Sequence, residues 1–260
     1  MFSREKKLKK KLKSRSKMFA GWLSFSHPSI AEIFANINFD FIAIDMEHST
    51  INNYEAQRII STVQAYQVPC IPRPLSHKND IIKPLLESGC DGMLFPNIDK
   101  NSHMEDAIHN FKYSPIGGRN FGINRAQSYG FNSKDYFSYW NQISSILIQI
   151  ESKNGVENLE EILKKNHKNI DGVMIGPYDL SGSLNCPGDF SNVDYLRSIK
   201  HVIKLCKAYR ISCGTQLSDI SSSLISENFK YGFNFLVLGS DLFALWNWAE
   251  NIEKLIKKSL

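Results

Sequence analysis

The chain has 260 residues, 42% hydrophobic and 22% charged, with a formal net charge of +5. That is enough for one barrel or two small domains around an ordinary core, and it excludes disordered, collagenous and disulfide-stapled classes. Residues 1–17 hold nine Lys/Arg and one acid, about +8, leaving about −3 on the rest, and a basic tail on an acidic body argues against a nucleic-acid-binding fold.

In chain order, the basic extension 1–17 comes first. Its Leu8 and Leu12 stand four apart, as on one face of a short helix. They are expected to dock on the floor of whatever follows, with contact to an acidic surface as the sharper alternative. No apolar segment follows those charges and no run approaches the ~18 apolar residues of a span, so neither a signal peptide nor a membrane helix is expected. Cys70, Cys90, Cys186, Cys206 and Cys213 are scattered and odd in number, which suits reduced thiols in a cytoplasmic protein.

Eight apolar runs of strand length then recur: 19–25, 41–45, 69–73, 92–95, 146–151, 172–175, 211–215 and 235–238. Segments with helical spacing separate them, such as Ile59, Ile60 and Val63, or Leu159, Ile162 and Leu163. This alternation predicts an α/β fold, a (β/α)8 TIM barrel over residues 18–260, with a doubly wound open sheet as runner-up. No Gly-rich dinucleotide loop follows the first strand. Cys90-Asp91-Gly92 and Ile170-Asp171-Gly172 open two strands in the same way, a local echo of repeated units. Residues 97–145 form a long gap with a helix near Met104–Phe111 and no obvious strand; a loop of that length is usually functional or a lid.

The chemistry gathers at strand ends. Alternate residues of a strand share a face, so Leu147, Gln149 and Glu151 face the barrel interior while Ile146, Ile148 and Ile150 face the helices. Barrel enzymes build their sites at the C-terminal ends of the strands. Those ends here supply Asp45, Glu47 and His48, then Arg73, then Glu151, then Gly176 with Asp179 just beyond. Glu151 and Asp179, completed by waters and a chelating substrate, suit a hard divalent ion such as Mg²⁺ or Mn²⁺. Arg73 suits a carboxylate, His48 is a proton carrier at neutral pH, and Asp45 could orient it. Plainer roles stay open: Arg73 pairing on the rim, Glu151 capping the helix near Asn154, Asp179 capping the turn at Leu180–Ser183.

The segments Phe39–His48, Ile71–Pro74, Gln149–Lys153 and Ile175–Ser181 together resemble the HpcH/HpaI aldolases, from about Phe19 to Leu245 and in the same order. These are metal-dependent (class II) pyruvate aldolases on barrels of the phosphoenolpyruvate/pyruvate-enolate type. The resemblance implies reversible cleavage of a 4-hydroxy-2-oxo acid to pyruvate and an aldehyde, with Mg²⁺, Mn²⁺ or Co²⁺ held by Glu151 and Asp179. It implies Arg73 at the oxo-acid end, His48 as catalytic histidine with Asp45 as its partner, and Gln149 beside pyruvate. Gly176 and Tyr178 fall where backbone groups help hold its carboxylate. It further implies a homo-oligomer, a hexamer built as a trimer of dimers, with a C-terminal helix exchanged through the apolar segment 242–256. Arg119–Gly122 with Asn124–Arg125 resembles the family's interface loop.

The chain departs from the family pattern at Tyr178, Met46, Asn97 and Asn120, of which Tyr178 and Met46 stand where small residues are usual and Asn97 where an apolar one is. These departures bear on the aldehyde more than on the reaction. Decarboxylation of an oxo-diacid, a non-catalytic binding relative, and a Schiff-base aldolase using Lys153 are the alternatives.

Overall fold

The computed structural model describes residues 2–260. Eight parallel strands make one sheet: β1 (Met18–Leu23), β2 (Phe41–Asp45), β3 (Cys70–Arg73), β4 (Gly92–Phe95), β5 (Ser145–Ile150), β6 (Gly172–Ile175), β7 (Ser212–Leu217) and β8 (Phe235–Leu238). Their order is β3-β2-β1-β8-β7-β6-β5-β4. The two ends of that series meet where the Asp91 N–H donates to the Cys70 carbonyl at 3.0 Å. The sheet is thus rolled into the expected (β/α)8 barrel. Strand ends moved slightly: β1 stops at Leu23 instead of Phe25, and β7 runs on to Leu217. Strand termini are where a hydrophobic pattern carries least information.

Around the barrel run α1 (Ser3–Ser14), α2 (Pro28–Ala35), α3 (Asn53–Ala65), α4 (Asn79–Glu87), α5 (Asn101–Phe111), α6 (Ser133–Ile143), α7 (Lys153–Asn166), α8 (Pro177–Ser183), α9 (Val193–Ala208), α10 (Ser222–Tyr231) and α11 (Asp241–Ser259). The long gap contains α5, a 3₁₀ stretch Arg125–Gly130 and α6, with no strand. It is not a lid. Trp140 of α6 donates its indole N–H to the Phe111 carbonyl at 2.8 Å, and Tyr139 reaches Phe2 beside α1, with ring centroids 6.2 Å apart. Arg119 lies buried among the rings of Tyr113, Tyr136 and Trp140.

Alternation along the strands sorts the core into two layers. Leu147 joins Ala20, Trp22, Ala43, Ile71, Leu94 and Met174 inside the barrel. Ile146, Ile148 and Ile150 pack outward against the helices. The parity read for β5 therefore holds, and it aims Gln149 inward.

The basic extension forms the floor. Leu8 and Leu12 of α1 are fully buried in the inner layer, each side chain contributing about 1.5–3 kcal/mol by leaving water. Its cations meet a fourfold pattern. Each even strand is preceded by an acid or amide, Asp40, Asp91, Asp171 or Asn234, whose side chain accepts the backbone N–H of Phe19, Cys70, Ile146 or Cys213 at the preceding odd strand. Lys11, Arg4, Lys9 and Arg15 of the extension bond to these four side chains in the same order. The charge that suggested contact with an acidic surface is thus partly consumed inside the molecule.

At the other end of the chain, α11 is loosely packed. Only Asp241 is buried, and its carboxylate accepts the N–H groups of Ser24 and Phe25 at 2.8 and 2.9 Å, joining α11 to the end of β1. Leu242, Leu245, Trp246, Trp248, Leu255 and Ile256 are exposed along it.

Candidate active site

Register brings the first pair together. Asp45 and Arg73 are direct neighbours across β2 and β3, with side chains on the same inward face. Both are buried, and Arg73 donates to Asp45 Oδ1 from Nη2 at 2.7 Å and from Nε at 3.1 Å. The guanidinium also lies 3.1 Å from Glu47 Oε2 and 3.4 Å from Gln149 Oε1, and it stacks over Trp22 at 4.8 Å. A planar fork with this many partners is fixed in place. Arg73 is therefore no solvated rim charge.

Glu151 is the first residue past β5 and is buried. The N–H of Asn97 donates to its Oε1 at 2.7 Å, and Gln149 Nε2 donates to its Oε2 at 2.5 Å. Each oxygen keeps a lone pair for a further ligand. Glu151 does not cap α7, because Ser152 does so by accepting the Gly155 N–H at 2.9 Å. Burial pushes the Glu151 carboxyl up to about 7, against the pull of the Asn97 N–H, with the charges of Glu47 and Asp179 adding to the rise. Burial likewise raises Glu47, partly offset by Arg73.

Asp179 lies in the first turn of α8 and is exposed, with its charge felt by both Glu47 and Glu151. Gly176 opens that helix against Glu151. A Cβ there would stand 2.6 Å from Gln149 Nε2 and 2.8 Å from Glu151 Oε2. The expected backbone contact from Gly176 to a substrate carboxylate needs correction: its N–H is already bonded to the Ile150 carbonyl at 3.2 Å. Its role is the space it leaves. The Tyr178 side chain turns toward Phe190. Its ring packs edge-on against Phe190, centroids 5.3 Å apart, in an aromatic cavity of about 430 Å³ between α9 and α10. None of Arg73, Gln149, Glu151 or Asp179 lines that cavity.

His48 is exposed at the rim. Asp45 accepts its backbone N–H at 3.1 Å on Oδ1, the same oxygen that takes the Glu47 N–H and both Arg73 bonds. The acid that faces the imidazole is Glu47, with Oε2 3.9 Å from Nε2. Asp45 thereby shapes the loop that carries His48, through the backbone N–H groups of Glu47 and His48. Glu47 and Asn97 are the residues that sequence reasoning left without a role. The available signal was their position, Glu47 beside His48 and Asn97 directly after β4.

Asp45, Glu47, Glu151 and Asp179 face one guanidinium, an excess of negative charge that a cation would relieve. The donors are all oxygens, with no thiol or clustered imidazole, which fits a hard divalent ion. Among the described residues no group of three or more His, Cys, Asp and Glu has metal-holding geometry.

The chain is similar to several known proteins in sequence and in fold. A 2-keto-3-deoxy-L-rhamnonate aldolase of Klebsiella pneumoniae is 31% identical over 222 residues, 85% of this chain and 81% of that protein. The fold superposes on an HpcH/HpaI aldolase/citrate lyase family protein from Burkholderia cenocepacia with a TM-score of 0.89 at 23% identity, covering 97% of this chain and 99% of the other. An HpcH/HpaI aldolase from Desulfitobacterium hafniense gives 0.87 at 23%, covering 96% of each chain. The sequence profile of one family matches residues 18–247, nearly the whole barrel, and the chain belongs to that family, the HpcH/HpaI aldolase/citrate lyases.

Proposed function

We propose that this enzyme is a divalent-metal-dependent aldolase that reversibly cleaves a 4-hydroxy-2-oxo acid into pyruvate and an aldehyde. The observation that carries the reading is Glu151, a carboxylate buried beside further acids and held by two N–H donors at the mouth of the barrel. The Klebsiella relative is named for such an acid, and the substrate class is taken from it without the particular sugar.

Glu151 and Asp179 would hold the cation, and Mg²⁺, Mn²⁺ and Co²⁺ all suit their oxygens. A bound divalent ion supplies Lewis-acid stabilisation of the enolate oxygen that develops as the C3–C4 bond breaks. Arg73, locked by Asp45 and Glu47, presents fixed positive charge to the oxo-acid end. Gln149 orders Glu151 from behind. His48 is the exposed group suited to carry the proton of the C4 hydroxyl, which lies on the aldehyde side. Lys153 is exposed and faces Glu157 at 3.9 Å, a setting that gives it none of the desolvation a Schiff-base lysine needs.

The exposed apolar face of α11 supports a homo-oligomer in which that helix packs on a second copy, with a hexamer as the assembly we favour. No described helix is long and apolar enough to cross a membrane. The five cysteines are free and buried, in keeping with a reducing cytoplasm.

The test is exchange of the pyruvate methyl hydrogens in D₂O, followed by NMR, with Mg²⁺, Mn²⁺ or Co²⁺ added in turn. Metal-dependent exchange, abolished in Glu151→Ala and Asp179→Ala, is the expected result. Exchange that survives EDTA, or that persists in either variant, would remove the metal assignment.

A further inference from the structure

α10 buries none of its side chains completely. Where it faces α9, the two helices are separated by the cavity of about 430 Å³, a volume in the ordinary range of small-molecule sites. The hydroxyl of Tyr231 reaches across it to the Leu196 carbonyl at 3.4 Å.

Aromatic rings stand on both walls. Tyr178, Phe190 and Tyr195 come from the α8–α9 side, and Tyr231 and Phe233 from the end of α10 and the turn after it. Tyr178 meets Phe190 at 79°, and Phe190 meets Tyr195 at 45° with centroids 5.4 Å apart. Rings set at such angles do not lie flat on one another, and an open ring face carries the negative side of the aromatic quadrupole. The Tyr178 ring keeps half of its surface open.

Charge gives the cavity a direction. Asp219, in the loop after β7, and Glu227 of α10 line it, and no Lys, Arg or His does. Arg197, next in sequence to the lining residue Leu196, is turned to Asp194 at 2.6 Å instead. A hard metal ion would use the two carboxylates and gain nothing from the rings. An uncharged apolar ligand would use the rings and leave the acids idle. An organic ammonium uses both: its charge rests on ring faces and faces the carboxylates, and its carbon body leaves water.

We propose that this cavity is a further binding site, for a small organic cation: an ammonium group on a short apolar or hydroxylated body. Tyr178 supplies a ring face to it, and Asp219 and Glu227 supply the opposing charge. The site lies outside the barrel mouth and does not depend on the aldolase reading.

Choline is a suitable probe, because 3,3-dimethylbutan-1-ol has the same shape without the charge. Both are titrated into the full-length protein by isothermal calorimetry. Choline is expected to bind with a Kd below about 1 mM and at least about tenfold more tightly than the alcohol. Tyr178→Ala and Glu227→Gln should each weaken choline about five- to tenfold, while Tyr178→Phe, which keeps the ring face, should stay within about twofold. Glu160→Gln, an exposed acid on α7, is the control and should change nothing. Equal affinity for the alcohol would overturn the inference by showing a merely apolar cleft. So would no choline binding up to roughly 10 mM, the result expected if a second copy of the chain fills the cavity. Binding lost in Asp179→Asn but kept in Glu227→Gln would place the cation in the barrel mouth and overturn it as well.

Discussion

Arg73 Nη2 and Asp45 Oδ1 stand 2.7 Å apart across the β2–β3 pair, both out of solvent. Removing one partner of a buried ion pair strands the other, whereas an imperfect replacement leaves charge but loses geometry. Arg73→Lys keeps the charge and gives up the fork that spans Asp45, Glu47 and Gln149. The variant is expected to stay folded by circular dichroism while kcat/KM for metal-dependent exchange falls about 10²–10³-fold. Near-normal turnover in Arg73→Lys would show that a point charge suffices.

The floor offers a pH prediction away from this chemistry. Asp91 is fully buried, and burial pushes its carboxyl up to about 7 despite the opposing charge of Arg4 at 2.9 Å. The unfolded value is the ordinary 3.8. For an acid whose folded pKa is raised, stability is fully present below the unfolded pKa and declines as pH rises through the folded one. Asp91 should therefore make the protein less stable at pH 8 than at pH 5, by an amount that Asp91→Asn removes. Asparagine keeps an acceptor for the Cys70 N–H. Urea titrations of both proteins between pH 4.5 and 8 provide the comparison, and equal slopes would place the pH dependence elsewhere.

Much of the fold was legible because strand–helix alternation and period-two parity are local properties. The β5 run shows it: Ile146, Ile148 and Ile150 pack outward and Leu147 inward, as their spacing requires. The long-range pairings were not legible in this way. That α1 closes the floor depends on Lys9 meeting Asp171 and Arg4 meeting Asp91, residues 162 and 87 positions away. At the site, the family motifs located Glu151, Arg73 and Asp45. The direction of the Tyr178 ring was decided by Phe190, and the reach of Asn97 to Glu47 by a left-handed backbone that composition does not announce.

The floor helix has its own test. Leu12 is completely buried in the inner layer, and Ser212 donates its hydroxyl to the Leu12 carbonyl at 2.7 Å, fixing the helix beneath β7. Leu12→Ala leaves a cavity in the barrel floor and should cost about 2–5 kcal/mol. In a chain of this size that lowers Tm by roughly 5–15 °C. Lys10→Ala, on the exposed face of the same helix, should change Tm by less than about 2 °C. Equal effects in the two variants would mean that the extension contributes charge alone and that its leucines are not structural.

Gly176 gives the sharpest test of how tightly the site is built. A methyl group there would meet Gln149 Nε2 at 2.6 Å, Glu151 Oε2 at 2.8 Å and Glu151 Cβ at 2.9 Å. The first two are ends of side chains and can swing away, but the third is close to the backbone and cannot relax without shifting β5. Gly176→Ala therefore displaces the carboxylate proposed to hold the cation. Mn²⁺ affinity is expected to fall about 10–100-fold, the usual cost of disturbing a ligand's support, with activity falling at least as far. Gly182→Ala, in the same helix with nothing within 4 Å of its would-be Cβ, supplies the control and should leave both quantities unchanged. Normal Mn²⁺ binding in Gly176→Ala, with Gly182→Ala also normal, would mean that Glu151 has room to move and that its geometry is not what recruits the metal.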